Sequence, residues 1–107
     1  MNLTMLSDQN VTDLTLRAQM YRDIKEFAAT DDSSITLHTI KPDEAYRSDL
    51  VSFRVYNRSD LAWLVDLIAD REDIALPLVV SSTVRLPDAV YIRGKIKEYT
   101  LLESEIS

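Results

Sequence analysis

The segment that most constrains this chain runs from Asp60 to Ala69, Asp-Leu-Ala-Trp-Leu-Val-Asp-Leu-Ile-Ala. Leu61, Leu64, Val65 and Ile68 stand at i, i+3, i+4 and i+7, the spacing of one helix face, and Trp63 with Leu67 adds an i, i+4 pair beside them. Only Asp66 and Asp70 are left to form a wet face. The apolar arc exceeds half the circumference. Such a helix needs cover on two sides, from its own sheet and from either another helix or a partner molecule. Asn57 or Ser59 is placed to cap its first turn, with Asp60 near the positive end of the helix dipole.

The remaining segments follow from periodicity. Residues 1–10 are polar and patternless, as expected of an arm or frayed end. From Thr12 to Ala29 the spacing of Leu14, Ala18 and Tyr21, widened by Met20, Ile24, Phe27 and Ala28, predicts a helix that ends at Asp31-Asp32-Ser33-Ser34. Ile35, Leu37 and Thr39 alternate with Thr36 and His38, a strand pattern stopped by Lys41-Pro42. Asp49 to Tyr56 is ambiguous: Val51, Phe53 and Val55 alternate as in a strand, and Leu50 with Phe53 or Val51 with Val55 suits a helix. Local propensity leans to strand. Leu76 to Val80, interrupted by Pro77, reads as an irregular connection leading to a strand, Thr83 to Leu86, closed by Pro87. Asp88 is the expected N-cap of a last helix carrying Ala89, Ile92, Ile96 and Tyr99 on one side. Gly94 interrupts it, permitting close backbone approach or marking a weak point, and the tail from Leu101 to Ile106 either prolongs the helix or trails away. This divides the chain into an arm and helix (1–33), a central module (34–87), and a C-terminal helix and tail (88–107).

Composition narrows the chemistry. A chain of 107 residues, 46% hydrophobic and 28% charged, is the size and make-up of one folded domain with a single small core, neither disordered nor membrane-embedded. Its net charge of −6 repels phosphate backbones, and the one basic cluster, Arg85, Arg93, Lys95 and Lys97, reads as a solvated helix face. No cysteine means no disulfide and no thiolate metal site, which fits a reducing cytoplasm. The N-terminal residues show no export signal. His38 is the sole imidazole, so the serines lack a general base and no zinc set can be assembled from histidines. A single glycine excludes phosphate-cradling and dinucleotide loops. No catalytic, cofactor or metal residues are expected, and the chain reads as a binding or assembly protein rather than an enzyme.

The order strand, two short helices, strand, closing on Val84-Arg85-Leu86-Pro87, resembles the LysM fold. More particularly, Asp49 to Tyr56 followed by Asn57-Arg58-Ser59-Asp60-Leu61-Ala62-Trp63 is similar to the LysM-like small baseplate proteins of contractile-tailed bacteriophages. The likeness spans roughly residues 34–97 and rests mainly on the Tyr56 to Trp63 interval and the closing Val-x-Leu-Pro. It implies an α+β fold, a small LysM-like βααβ module with flanking N- and C-terminal helices, and a helix rather than a strand at 49–56. Three positions depart from the family pattern. Asn57 stands where a glycine usually follows the Tyr, Asp70-Arg71 where an asparagine often ends the second helix, and Ser81-Ser82 where a glycine usually precedes the last strand.

The resemblance further implies a structural component of a contractile tail baseplate, bridging wedge or hub subunits around the tube. It would be present in several copies of a symmetric virion assembly, made in the host cytoplasm, with no nucleic-acid or membrane partner. Trp63, Leu67, Ile92, Ile96 and Tyr99 are the expected inter-subunit contacts, because aromatic and large aliphatic anchors dominate interfaces. Core packing is the competing role for each. Two other functions fit the sequence: a LysM-type module binding peptidoglycan or another glycan, and a small cytoplasmic adaptor.

Overall fold

Two of the helices begin where the sequence places an aspartate against unpaired backbone amides. The computed structural model describes residues 4–106 and forms an α+β domain of four helices and one two-stranded antiparallel sheet. Helix α1 (Leu14–Ala28) starts at Asp13, whose carboxylate accepts from the amides of Thr15 and Leu16 at 2.9 and 3.0 Å. It ends where Arg85 donates to the carbonyls of Ala28, at 2.7 Å, and Thr30. Strand β1 (Thr36–Thr39) pairs with β2 (Thr83–Leu86), Thr36 opposite Leu86 and Thr39 opposite Thr83. Between them lie α2 (Ser48–Tyr56) and α3 (Ala62–Ile68), and α4 (Ala89–Ile106) follows, its first turn capped by Asp88 through a 2.8 Å bond from the Tyr91 amide.

Helix α3 is covered on two sides, as its wide apolar arc requires. Leu61 and Leu64 join Leu6, Val11, Met20, Ile24, Ile92, Ile96 and Tyr99 in a cluster against α1 and α4. Val65 joins Ile40, Val51, Leu78, Val84 and Leu86 against the sheet. Helices α1 and α4 run antiparallel: Glu103 accepts from the Thr12 hydroxyl and, at 2.6 Å, the Asp13 amide, Tyr99 donates to Asp23, and the rings of Phe27 and Tyr91 stack at 3.9 Å. Burial and its hydrogen bond to Asp23 push the Tyr99 hydroxyl up to about 12.

Residues 48–56 are helical, as the resemblance implies and against the lean of their strand-like alternation, because the buried set is Ser48, Val51 and Ser52 at helical spacing while Phe53 points outward. Several other expectations are corrected. In α1 the core takes Met20, Ile24 and Ala28, leaving Leu14 and Ala18 exposed, since α3 and α4 pack on that face. In β1 the apolar phase faces out: Leu37 is exposed, and the following Ile40 is the buried residue. Neither Asn57 nor Ser59 caps α3, which starts at Leu61 without a side-chain bond. Asn57 instead terminates α2 in the left-handed conformation, φ 58°, its amide donating to Phe53 at 2.8 Å, and Asp60 pairs with Arg58 at 2.6 Å. Of the expected arm, residues 1–3 lie outside the described residues, whereas Leu6 and Asp8 are buried. The C-terminal tail prolongs α4 as far as Ile106, with Ser107 outside the described residues.

Among the described residues, three other than glycine hold positive φ: Asn57, Asp70 and Ser81, at 58°, 56° and 72°. A side chain there crowds the following carbonyl, at about 1–2 kcal/mol. Ser81→Gly is therefore expected to raise stability by about 1 kcal/mol, and Ser81→Val to lower it, as measured by urea unfolding.

Candidate partner-binding surfaces

The structure encloses most of the residues expected at an interface within the protein's own fold. Ile92, Ile96 and Tyr99 are buried against α1 and α3, so in this conformation they are not available to a partner; they are core residues. Trp63 and Leu67 are half-buried against the same cluster, with the Trp63 ring nitrogen donating to the Leu6 carbonyl at 2.9 Å and its ring tilted against Tyr21 at 6.1 Å. The basic cluster is divided as well. Arg85 binds the end of α1, Lys95 lies 3.3 Å from Glu98 and 3.7 Å from Asp23, and only Arg93 and Lys97 stand on the outer face of α4.

Apolar surface is displayed elsewhere, first on the loop from α3 to β2. Ile74 is 80% exposed and Val79 71%, with Leu76 and Val80 also open to solvent and Leu78 alone turned into the core. The loop is braced from within. The Arg71 side chain, 4% exposed, donates to the carbonyls of Ile74 at 2.5 Å and Leu76 at 2.8 Å, and pairs with Asp66 at 3.2 Å. Asp66 in turn accepts from Ser48 at 3.2 Å, and the Leu78 amide donates to Ala45 at 2.6 Å. The guanidinium fork thus fixes a short irregular segment that presents aliphatic side chains outward.

Beneath the same side of the module sits a buried polar knot. Glu44 is fully buried and accepts from the Lys41 amide at 2.8 Å and Arg54 at 2.8 Å, with His38 at 2.9 Å. Burial pushes its carboxyl up, but the hydrogen bonds from His38, the Lys41 amide and Arg54 outweigh that and hold it below the usual glutamate range. His38, the sole imidazole, thus turns toward Glu44. The knot ties the β1–α2 connection to α2 and offers no open position for a substrate. Among the described residues, no group of His, Asp and Glu side chains is arranged to hold a metal ion, and no helix is long and apolar enough to cross a membrane.

The second apolar surface is the outer face of α4, opposite its buried residues. Here Val90 and Leu101 are 79% and 57% exposed and line a shallow groove of about 530 Å³ together with Met5, Arg93, Gly94 and Lys97.

Neither surface follows from helical periodicity read toward a core. The loop's signal was an aperiodic aliphatic run broken by Pro77 and preceded by the polar Arg71-Glu72-Asp73. That of α4 was a second line of residues on the side away from Ile92, Ile96 and Tyr99. No family model matches the chain, and no curated protein or solved structure is significantly similar to it.

Proposed function

We propose that this protein is a small structural subunit of a contractile phage-type tail baseplate, built on a LysM-like βααβ module and bridging neighbouring wedge or hub subunits. The observation that carries the reading is the loop of residues 71–80: aliphatic side chains held outward by a buried arginine form a rigid docking surface rather than a ligand pocket. The LysM-like assignment draws support from the three left-handed residues. Asn57, Asp70 and Ser81 occupy the places where that family usually carries glycine or asparagine, the residues that best tolerate positive φ.

Glycan binding is the weaker reading, because the two loops over which a sugar would lie are joined to each other. The Leu78 amide donates to Ala45 across them, and Ile40 and Ser81 or Ser82 exchange 2.8 Å bonds at their base. A saccharide would have to displace these bonds.

Two measurements test the proposal. Tagged protein, produced together with the tail proteins of the particle it comes from, is expected to capture baseplate subunits. Ile74→Asp with Val79→Asp is expected to abolish capture without lowering Tm, because both side chains are exposed. Titration with N-acetylglucosamine oligomers is expected to show no saturable binding. Saturable binding, with no tail protein captured, would replace this reading by the glycan one.

A further inference from the structure

The far edge of β1 carries backbone groups of the kind that another extended chain pairs, independently of any role in a baseplate. The register sets Thr36 opposite Leu86 and His38 opposite Val84, and the Ile40 amide donates to the Ser82 carbonyl at 2.8 Å. Residues 36, 38 and 40 therefore turn their amides and carbonyls toward β2. Hydrogen-bonding direction alternates along an antiparallel strand, so those of Leu37 and Thr39 point the other way. Among the described residues the sheet has two strands, and no strand lies beside that edge. Thr36, Leu37 and Thr39 are exposed, Leu37 at 60%, whereas Val84 and Leu86 of β2 are buried. Sheet edges are ordinarily guarded by a lysine, a proline or a bulge. From Ser33 to Ile40 there is no Asp, Glu, Lys, Arg, Pro or Gly, and the β-branched Ile35, Thr36, Thr39 and Ile40 favour extension.

The unpaired groups call for an extended backbone, and this uncharged stretch can supply one to its own copy without setting like charges together. We infer that β1 pairs antiparallel with β1 of a second copy about a two-fold axis at Leu37, joining two sheets into one of four strands. The two Leu37 residues exchange both backbone bonds, and each Thr39 amide donates to the other copy's Ile35 carbonyl. The Ile35 amide takes no part, because it already donates to the Asp32 carbonyl at 3.1 Å. In this register the Leu37 side chains lie opposite each other on the outer face of the sheet, each covering what the other exposes. Charge at the ends of the strand agrees. Asp31-Asp32 precede β1 and Lys41 follows it, so antiparallel pairing brings each Lys41 beside the second copy's aspartates. Parallel pairing would set acid beside acid and lysine beside lysine.

Sedimentation velocity of the full chain, carried to millimolar concentration, reads the equilibrium. The expected result is a reversible monomer–dimer system. Leu37→Lys sets two like charges opposite each other at the axis and is expected to weaken association at least tenfold, with Tm level because the side chain is exposed. Hydrogen exchange locates the contact: the amides of Leu37 and Thr39 are expected to exchange about fivefold or more slowly in the dimer, and Leu37→Lys to remove that protection. Because the chain has no cysteine, register can be read by cross-linking. The two copies of residue 37 would stand about 5.5 Å apart at Cα, within disulfide reach, so Leu37→Cys is expected to oxidise to a covalent dimer. Thr39→Cys, whose mate would lie roughly 14 Å away, is expected not to. A chain that stays monomeric at every concentration, a dimer indifferent to Leu37→Lys, a dimer whose Leu37 and Thr39 amides gain no protection, or equal cross-linking at both cysteines would each overturn the inference. So would protection of these amides only when a different protein is bound, which would give the edge to that protein's strand.

Discussion

Glu44→Ala is expected to lower stability by about 3–5 kcal/mol, more than any other single polar substitution in the protein. Removing the carboxylate leaves His38 and the Lys41 amide facing a buried space without their acceptor, and leaves Arg54 held by Asp43 alone. For a domain of this size the loss is a large part of the whole stability and corresponds to a Tm lower by roughly 12 °C or more. Glu44→Gln keeps one acceptor oxygen, and its loss is expected to be smaller. The same knot gives an acid dependence. The folded carboxyl titrates below the ordinary value of about 4.5, so its contribution is complete above that pH and disappears as pH falls through the lower folded value. Urea unfolding at neutral pH and near pH 3 is expected to show a smaller drop for Glu44→Ala than for the unaltered chain. An equal drop in both would place the acid sensitivity on other carboxylates, such as Asp49 and Asp60, which their arginine partners also hold below their usual range.

Arg71→Ala is expected to cost about 2–3 kcal/mol, somewhat less because Asp66 keeps partial access to water. Its more specific effect is local. Without the guanidinium the carbonyls of Ile74 and Leu76 lose the donors that set the shape of the loop. Faster hydrogen exchange at the amides of Ala75 and Leu76, and faster proteolytic cleavage between residues 72 and 80, are the expected signatures. Arg71→Lys is expected not to restore the loop, because an ammonium group lacks the planar fork that reaches Asp66 and two carbonyls at once. If the docking role is right, capture of partners by Arg71→Ala falls even where the remainder of the domain is folded.

How far the sequence revealed this arrangement depends on the kind of signal each element carries. The Asp60–Ala69 helix was legible down to its two-sided burial, because hydrophobic spacing is a direct image of packing. Asp88 marked the start of its helix for a similarly local reason, a side chain that pairs with a nearby amide. Residues 49–56 were not readable from pattern, since Ser48 and Ser52 occupy core positions that an apolar count assigns to water. Ser52 is buried because its hydroxyl donates to Arg58 at 2.5 Å and accepts from the Leu61 amide at 3.2 Å, a tertiary bond with no local trace. Ile92, Ile96 and Tyr99 were found as one face, but whether that face met α1 or another molecule depended on antiparallel pairing between distant segments. The loop remained hidden because Arg71 acts through backbone carbonyls, which every residue possesses.

The position of α3 between the two clusters bears on how the protein can be divided. A fragment trimmed to residues 34–87 would lose α1 and α4 and leave Leu61 and Leu64 bare, while the excised helices would lose the floor on which Ile24 and Ile92 rest. Neither piece is a self-sufficient folding unit. The repeat-sized segment that invites excision as an autonomous cassette is thus bound to its flanks, and the whole chain should melt in a single cooperative step.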